Sequence, residues 1–353
     1  MTEVQENRHG LLERVAHLLL IQKQGAQGEH IDPQLQPPPD AGAWGADQRD
    51  AWFSDEMKVL RDCVSLGGDG PRQSILKELA AFHHESVEQA YQKCLDWEKL
   101  SVAEWKAADR STPEGVRDFY NTTTSWRYDL AWYVYLQVTG HAFPQSPAVV
   151  RFLRANGVAG GQLMDFGSGI GLNGQVFDRF GFKVTIADVS KPLLAYATWR
   201  NARHGADIRV IDLNDQPLPQ GAFDVITAFD TLTHVTDFDA TCERLHAALK
   251  PDGWLIANFD TRAPEDASAW HIQDNELDLD RRLKKPGFAR RHVIGGFLNC
   301  YQSVDPNTAA HGVRTLCGRA TLPLEQAASF SRRVRWPTPH RMAKALRLMS
   351  APH

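Results

Sequence analysis

Leu163-Met164-Asp165-Phe166-Gly167-Ser168-Gly169-Ile170-Gly171-Leu172-Asn173-Gly174 limits the fold more than any other stretch of the chain. An apolar strand empties into alternating glycines and then into a helix. Glycine tolerates backbone angles closed to other residues and lets a ligand lie against the main chain, and the helix N-terminus that follows presents unpaired N–H groups. Gly169-x-Gly171-x-x-Gly174 also matches the dinucleotide fingerprint literally. Its register opposes that reading, because Gly167 already follows the strand directly, two residues too early for the tight-turn glycine.

After residue 160 short β-rich runs alternate with helical stretches. Strands are expected at Gln162–Phe166, Lys183–Ala187, Ile208–Asp212, Asp224–Phe229 and Trp254–Phe259, with a sixth and seventh inside Arg291–Gln302. Such alternation means parallel strands with helices on both faces, and ligands at the strands' carboxyl ends. The second strand ends at Asp188, where an acid can accept both hydroxyls of a ribose or can cap the next helix. Before residue 160 no strand-like alternation is present. Residues 1–24 have helical spacing and 25–50, with Pro37-Pro38-Pro39, read as a linker. Helical stripes run from Asp50 to Lys106 (Trp52, Phe53, Met57, Leu60 and Val64; then Ile75, Leu79, Phe82, Val87, Ala90, Tyr91 and Leu95), broken at Gly67-Gly68-Asp69-Gly70-Pro71. Ser111-Thr112-Pro113-Glu114 reads as a helix start with proline just inside it. Asn121 to Ser125 supply N-cap candidates for an aromatic helix over Trp126–Val138, which reads as a core helix or as a lid over a flat, partly cationic ligand.

Residues 160–260 resemble the class I S-adenosylmethionine (SAM)-dependent methyltransferases. Asp165-x-Gly167-x-Gly169-x-Gly171 is similar to that family's first motif, Asp188 to its ribose-binding acid, and Ser190-Lys191-Pro192-Leu193-Leu194 to the turn that follows. Asp212-Leu213 stands where the family contacts adenine. Phe223 to Val235 is similar to the fourth-strand signature, and Leu249-Lys250-Pro251-Asp252-Gly253 to the turn before strand five, with Asp252 replacing the commoner glycine. The resemblance implies an α/β, doubly wound, mostly parallel seven-stranded sheet of the Rossmann-like methyltransferase type, preceded by an α-helical N-terminal domain. It divides the chain into residues 1–145 (helical domain and lid), 146–302 (SAM-binding domain) and 303–353 (basic extension). It implies SAM as cofactor, S-adenosylhomocysteine as product, and Asp165, Gly167, Gly169, Gly171, Asp188, Val189, Asp212, Leu213, Phe229 and Trp126 as cofactor-binding residues.

Methyl transfer from a sulfonium is a displacement on an already activated donor. The protein chiefly aligns the nucleophile, with a base needed only where the nucleophile must lose a proton. Candidates are His234 after the fourth strand, His271 after the fifth, and Tyr120 in the lid with Trp126. Six acids between Glu265 and Asp280 (Glu265, Asp266, Asp274, Glu276, Asp278, Asp280) form a loop suited to a cationic acceptor or to plain solvation. No metal is implied: His83-His84-Glu85 lies in a helical stretch without a companion motif. The loop after strand four lacks the Asn/Asp-Pro-Pro-Tyr-like pattern associated with base methylation. The expected acceptor is therefore a small molecule, in natural-product biosynthesis by resemblance, with no nucleic acid. Alternatives are a cyclisation or other rearrangement on the same fold, and a non-catalytic SAM-binding partner subunit. A nicotinamide oxidoreductase ranks behind these.

The 39 Lys/Arg and 43 Asp/Glu give a net charge of −4, split between an acidic body of −10 and +6 over residues 303–353. An acidic body does not attract nucleic acid globally, and the basic extension reads as a helix docked on it. Leu130–Leu136 is far shorter than the roughly 20 residues that span a bilayer, so no membrane segment is expected. Five scattered cysteines without a CxxC pair suit a reducing, cytoplasmic setting. The helical N-terminal region offers a wall for the substrate pocket or a homodimer interface.

Overall fold

The computed structural model describes residues 54–139, 142–259, 270–273, 275–295 and 298–304. The helix over 1–24, the linker over 25–50, Trp52, Phe53, Glu265, Asp266, Asp274 and nearly all of the 303–353 extension lie outside the described residues.

Among the described residues seven helices precede the first strand: α1 (Ser54–Val64), α2 (Pro71–His83), α3 (Val87–Leu95), α4 (Trp97–Ala107), α5 (Pro113–Thr122), α6 (Trp126–Val138) and α7 (Gln145–Ala155). Their ends follow local chemistry. Pro71 opens α2, and His84 closes it in the left-handed region at φ 54°. Ser86 and Gln89 form a reciprocal capping box on α3, with Ser86 Oγ accepting from Gln89 N at 3.1 Å. Thr112 caps α5 by accepting from Gly115 N at 3.1 Å. The start of α6 departs from expectation. Ser125 precedes it, but its side chain caps nothing. Glu104 of α4 does that work, accepting from the backbone N–H of Thr124 (3.1 Å) and Ser125 (3.3 Å) and from the hydroxyls of Thr123, Thr124 and Ser125. A carboxylate two helices away offers more lone pairs than a local hydroxyl and joins α4 to α6 at the same time.

The sheet domain comprises β1 (Gly161–Phe166), α8 (Leu172–Arg179), β2 (Phe182–Asp188), α9 (Lys191–Arg203), β3 (Arg209–Asp212), β4 (Phe223–Ala228), α10 (Phe238–Ala248), β5 (Leu249–Ala257), α11 (Glu276–Leu283), β6 (Phe288–Ile294) and β7 (Leu298–Ser303). The seven-stranded order is β3-β2-β1-β4-β5-β7-β6. The first five strands are parallel, and β7 runs antiparallel to both β5 and β6. Strand order reverses between β1 and β4, which places the ligand crevice at their carboxyl ends.

Strand five begins earlier than expected, at Leu249 rather than Trp254, and Phe259 lies beyond it. Phe223 pairs with Leu249 but Val225 with Trp254, so Lys250–Gly253 bulge out of the ladder. Asp252 takes φ 60° there, the conformation that a glycine commonly fills. Likewise β6 starts at Phe288, ahead of the expected Arg291.

One apolar core joins the helices to the sheet domain. Met57, Leu60, Ile75, Leu79, Tyr128 and Tyr135 pack in it with Ile170, Leu172, Val176 and Tyr196. Beside it Glu78, Arg200 and His204 form a buried ionic cluster between α2 and α9. The His83-His84-Glu85 run is absorbed locally: His83 stacks on Tyr128 and Glu85 pairs with Lys93. Among the described residues no group of three His, Cys, Asp or Glu is placed to hold a metal ion.

Candidate active site

β1 delivers its last residues into a turn whose glycines answer to packing. Gly167 has φ 70°, and a Cβ on it would stand 2.1 Å from Thr231 at the end of β4. Gly169 has φ 55°, and a Cβ there would stand 2.7 Å from Leu130 Cδ1 of α6. The loop is thus pressed between the end of β4 and the lid helix, a closeness that only glycine permits. Gly171 follows as the residue that opens α8.

Acids end the three neighbouring strands: Asp165 in β1, Asp188 in β2 and Asp212 in β3. Asp188 Oδ2 accepts from Gly169 N and Oδ1 from Ser190 N, both at 2.8 Å. One carboxylate therefore ties the glycine loop to the turn after β2. Asp165 Oδ1 accepts from Thr227 Oγ1 at 2.7 Å, while its Oδ2 is buried without a partner, as are the hydroxyls of Ser168 and Ser190. Burial pushes the Asp165 carboxyl up to about 7, against the Thr227 hydrogen bond and helped by the Asp188 charge. Burial likewise pushes Asp188 up to about 6, despite backbone hydrogen bonds from Ser190, Gly169 and Val189. A cation beside Asp165 would relieve that cost. Asp212 Oδ1 accepts from Asn214 N (2.9 Å) and Nδ2 (2.7 Å), and Leu213 is half-buried against the core.

The lid lies over this rim. Asn214 Nδ2 donates to the Val189 carbonyl (2.7 Å) and to Asn121 Oδ1 of α5 (3.0 Å), joining the lid to the turns after β2 and β3. Phe119, Tyr120, Trp105 and Trp270 form a buried aromatic cluster, with Trp126 and Val189 packed against it. Trp126 lies 6.3 Å from His234 and 5.1 Å from Tyr120 between ring centres.

Past β4, Asp230 adopts φ 49°, its N–H held by Asn258 Oδ1 at 2.9 Å and its Oδ2 accepting from Gln145 Nε2 at 3.2 Å. A non-glycine residue in that region is strained and needs such support. The short 3₁₀ turn Leu232–His234 follows. Residues 270–273 are stitched to it, since Ile272 N and Gln273 N both donate to the Thr233 carbonyl. That seam brings His271 beside His234, with ring centres 4.5 Å apart. The Trp270 carbonyl receives Tyr120 Oη at 3.2 Å and His234 Nδ1 at 3.0 Å. A carbonyl only accepts, so Nδ1 is the donor, and in the neutral form of the ring the basic nitrogen is Nε2. Burial holds the Tyr120 hydroxyl well above its usual range, so it stays a neutral donor.

The structure brings Asp165, Gly167, Gly169, Gly171, Asp188, Val189 and Asp212 to one rim, and Tyr120, Trp126, His234 and His271 to its lid side. Phe229 differs in character: its ring packs in the core with Ile256 and Leu298, while its carbonyl accepts from Thr231 at 2.8 Å. The described part of the acidic run also differs. Asp280 accepts from Tyr301 Oη at 2.7 Å and pairs with Lys284 and Arg290, and Asp278 pairs with Arg281 and Arg282. Asp280 thus ties α11 to β6 and β7, while the Asp278 pairs lie within α11. Sequence reasoning missed Asn214, Asp230, Leu130 and the Trp270 carbonyl. Asp212-x-Asn214 after a strand is a readable Asx-turn signal; the contacts of the others exist only in three dimensions.

Residues 140–291 match the family model described as a methyltransferase domain. The ubiquinone biosynthesis O-methyltransferase of Xanthomonas euvesicatoria is 33% identical over 110 residues, covering 30% of this chain and 46% of that protein. Phosphoethanolamine N-methyltransferase 1 of Zea mays is 26% identical over 254 residues, covering 67% of this chain and 49% of that protein. The chain spans about half the length of these curated relatives. Among solved structures, phosphoethanolamine N-methyltransferase 2 of Haemonchus contortus in complex with SAM aligns with TM-score 0.40 and 24% identity, covering 49% of this chain and 44% of that one. Residues 140–291 are thus similar to a methyltransferase domain, the likeness running from the end of the helical part through the sheet.

Proposed function

We propose that the chain transfers a methyl group from SAM to a small-molecule acceptor, and that the acceptor lies between the glycine loop and the aromatic lid. The observation that carries this reading is the convergence of Tyr120 and His234 on the Trp270 carbonyl, beside the loop ended by Asp165 and Asp188. SAM, when bound, supplies an activated methyl group on a sulfonium. The residues present fit it. Asp165 has an unpartnered buried oxygen for an ammonium, Asp188 has lone pairs left for ribose hydroxyls, and Asp212 with Leu213 borders the adenine position.

His234 acts as the base in this reading. Its Nδ1–H is fixed by the Trp270 carbonyl, so Nε2 takes the proton from a hydroxyl or amine acceptor as the nucleophile forms. His271, next to it, is the alternative proton carrier. Tyr120 positions the Trp270 carbonyl, and Trp126 walls the chamber. The helical part up to residue 145 would supply that lid, and residues 146–302 the donor site. The buried aromatic cluster of Trp105, Phe119, Tyr120 and Trp270, with Trp126 packed against it, favours a small, flat acceptor over a nucleic acid, in keeping with natural-product chemistry. Four buried cysteines are unpaired among the described residues, which favours a cytoplasmic setting. No helix among the described residues is long and apolar enough to cross a membrane.

Incubation with methyl-labelled SAM and metabolite extracts, read by mass spectrometry, tests this. The expected product is a metabolite heavier by one methylene unit. SAM binding without a labelled product in any extract, or a product rearranged without mass gain, overturns the methyl-transfer reading.

A further inference from the structure

We infer that Arg127 receives the carboxylate of the donor's methionine end, while Asp165 receives its ammonium. This rests on the donor assignment above and adds a residue outside the glycine and acid motifs. Arg127 is only 8% exposed, and its Nε is buried without a hydrogen-bond partner. No carboxylate among the described residues forms an ion pair with it. The acids nearest to it electrostatically are engaged elsewhere: Glu104 with Thr123, Thr124 and Ser125, and Glu85 with Lys93 and Tyr128. What faces the guanidinium is the Phe82 ring, 5.4 Å from its carbon to the ring centre. A cation–π contact offsets only part of the cost of a buried charge. A guanidinium held in this way is completed by an anion that arrives with a ligand.

Its place on α6 says which anion. Arg127 and Leu130 are three residues apart and share a face of the helix. Leu130 Cδ1 is the atom that would meet a Cβ on Gly169, and Trp126, one residue before Arg127, lies against His234. Arg127 therefore stands within one helical turn of the glycine loop, on the side of the lid that covers it. Asp165, at the root of that loop, is 1% exposed and also has an unpartnered oxygen. A buried unpaired acid and a buried unpaired base flanking one loop are complementary to an α-amino acid zwitterion, which carries one charge of each sign. Arg127's planar fork suits a carboxylate.

Calorimetric titration of the wild-type chain and Arg127→Met with two ligands, SAM and its decarboxylated form, separates the possibilities. Arg127→Met should weaken SAM binding by about tenfold or more and leave the decarboxylated ligand within about twofold. Wild type should prefer SAM, and the variant should lose that preference. Arg127→Lys should recover part of it, and it carries the same comparison if Arg127→Met does not fold. Equal loss for both ligands would assign Arg127 a structural role, and no loss for either would assign it to another anion; each overturns the inference. Wild-type protein that binds neither ligand overturns the donor assignment itself, and the inference with it.

Discussion

Asp165 gives the candidate site a pH dependence whose sign is fixed by its burial. Its carboxyl is raised to about 7 in the ligand-free protein, so it is protonated below that pH and cannot pair with an ammonium there. SAM affinity should fall as the pH drops from 7 towards 5.5, at roughly tenfold per unit where one proton is displaced, and Asp165→Asn should flatten the curve. Calorimetry in buffers of different ionisation enthalpy checks it; an affinity independent of pH sinks the assignment. Because the folded value lies above the unfolded one, the same group favours the ligand-free fold at low pH and loses that contribution as pH rises through about 7. Asp188→Ala would remove the acceptor that ties Gly169 N to Ser190 N as well as the ribose contact. It should weaken SAM by more than about tenfold, near 1.4 kcal/mol. Unchanged affinity by calorimetry would remove Asp188 from the site. For His234→Ala the expected loss lies in turnover, about 10²–10⁴-fold, with SAM affinity nearly unchanged. Equal turnover in the variant would pass the role to His271.

Among the elements, α6 does most to define the site, and its start depends on α4. Burial by itself would raise the Glu104 carboxyl, but hydrogen bonds from Ser125, Thr123 and Thr124 outweigh that and hold it below its ordinary value. The lowered value means that its contribution is present at neutral pH and is lost as pH falls through the folded-state value. Glu104→Ala leaves the buried Thr123 hydroxyl and the Thr124 and Ser125 N–H groups without their acceptor, while Ser125 Oγ keeps Ser101 Oγ at 2.8 Å, and should cost about 1–3 kcal/mol. Thermal unfolding at pH 7 measures this, and an unchanged midpoint would show that water replaces the carboxylate. The extent of α6, Trp126–Val138, was legible in its aromatic run, and β1, β2 and β4 in their apolar texture. The glycine loop and the strand-end acids were legible because each sits at a fixed offset from its own strand. The cap was not legible, since Glu104 reaches α6 from another helix and the serine and threonine run looked sufficient. The true start of β5 was hidden by Pro251-Asp252-Gly253, which reads as a turn although the ladder continues around it as a bulge. His234 and His271 were legible singly, yet their pairing depends on the hydrogen bonds of Ile272 and Gln273 to Thr233. Gly169→Val would place a side chain on the loop where a ligand would approach. The nearer consequence is a collision with Leu130 and strain at positive φ, so the lid would move as well.

Beside the apolar core that joins the helices to the sheet domain, one guanidinium ties several elements at once. Arg200 of α9 is 1% exposed and donates to Glu78 of α2 at 2.9 Å, to Gln175 of α8 and to the Cys63 carbonyl of α1. Glu78 also pairs with His204 at 2.7 Å. Burial would raise Glu78, but the His204 hydrogen bond and the Arg200 charge hold it below its usual range, so it remains a buried anion. Removing Arg200 leaves that anion partly uncompensated, a loss of about 3–5 kcal/mol, whereas replacing both partners by apolar residues of similar volume is often close to neutral. Arg200→Met should therefore destabilise the chain more than Arg200→Met combined with Glu78→Leu. The place where the loss is felt matters for function. Arg200 holds α1 and α2 on the sheet domain, α2 packs Phe82 under Arg127, and α6 presses Leu130 onto the glycine loop. Hydrogen exchange on Arg200→Met should show amides of α1, α2 and α6 losing protection while β1 and β4 keep theirs, together with weaker SAM binding. A uniform loss of protection would mean instead that helices and sheet unfold as one cooperative unit, and the lid would then have no means of opening on its own.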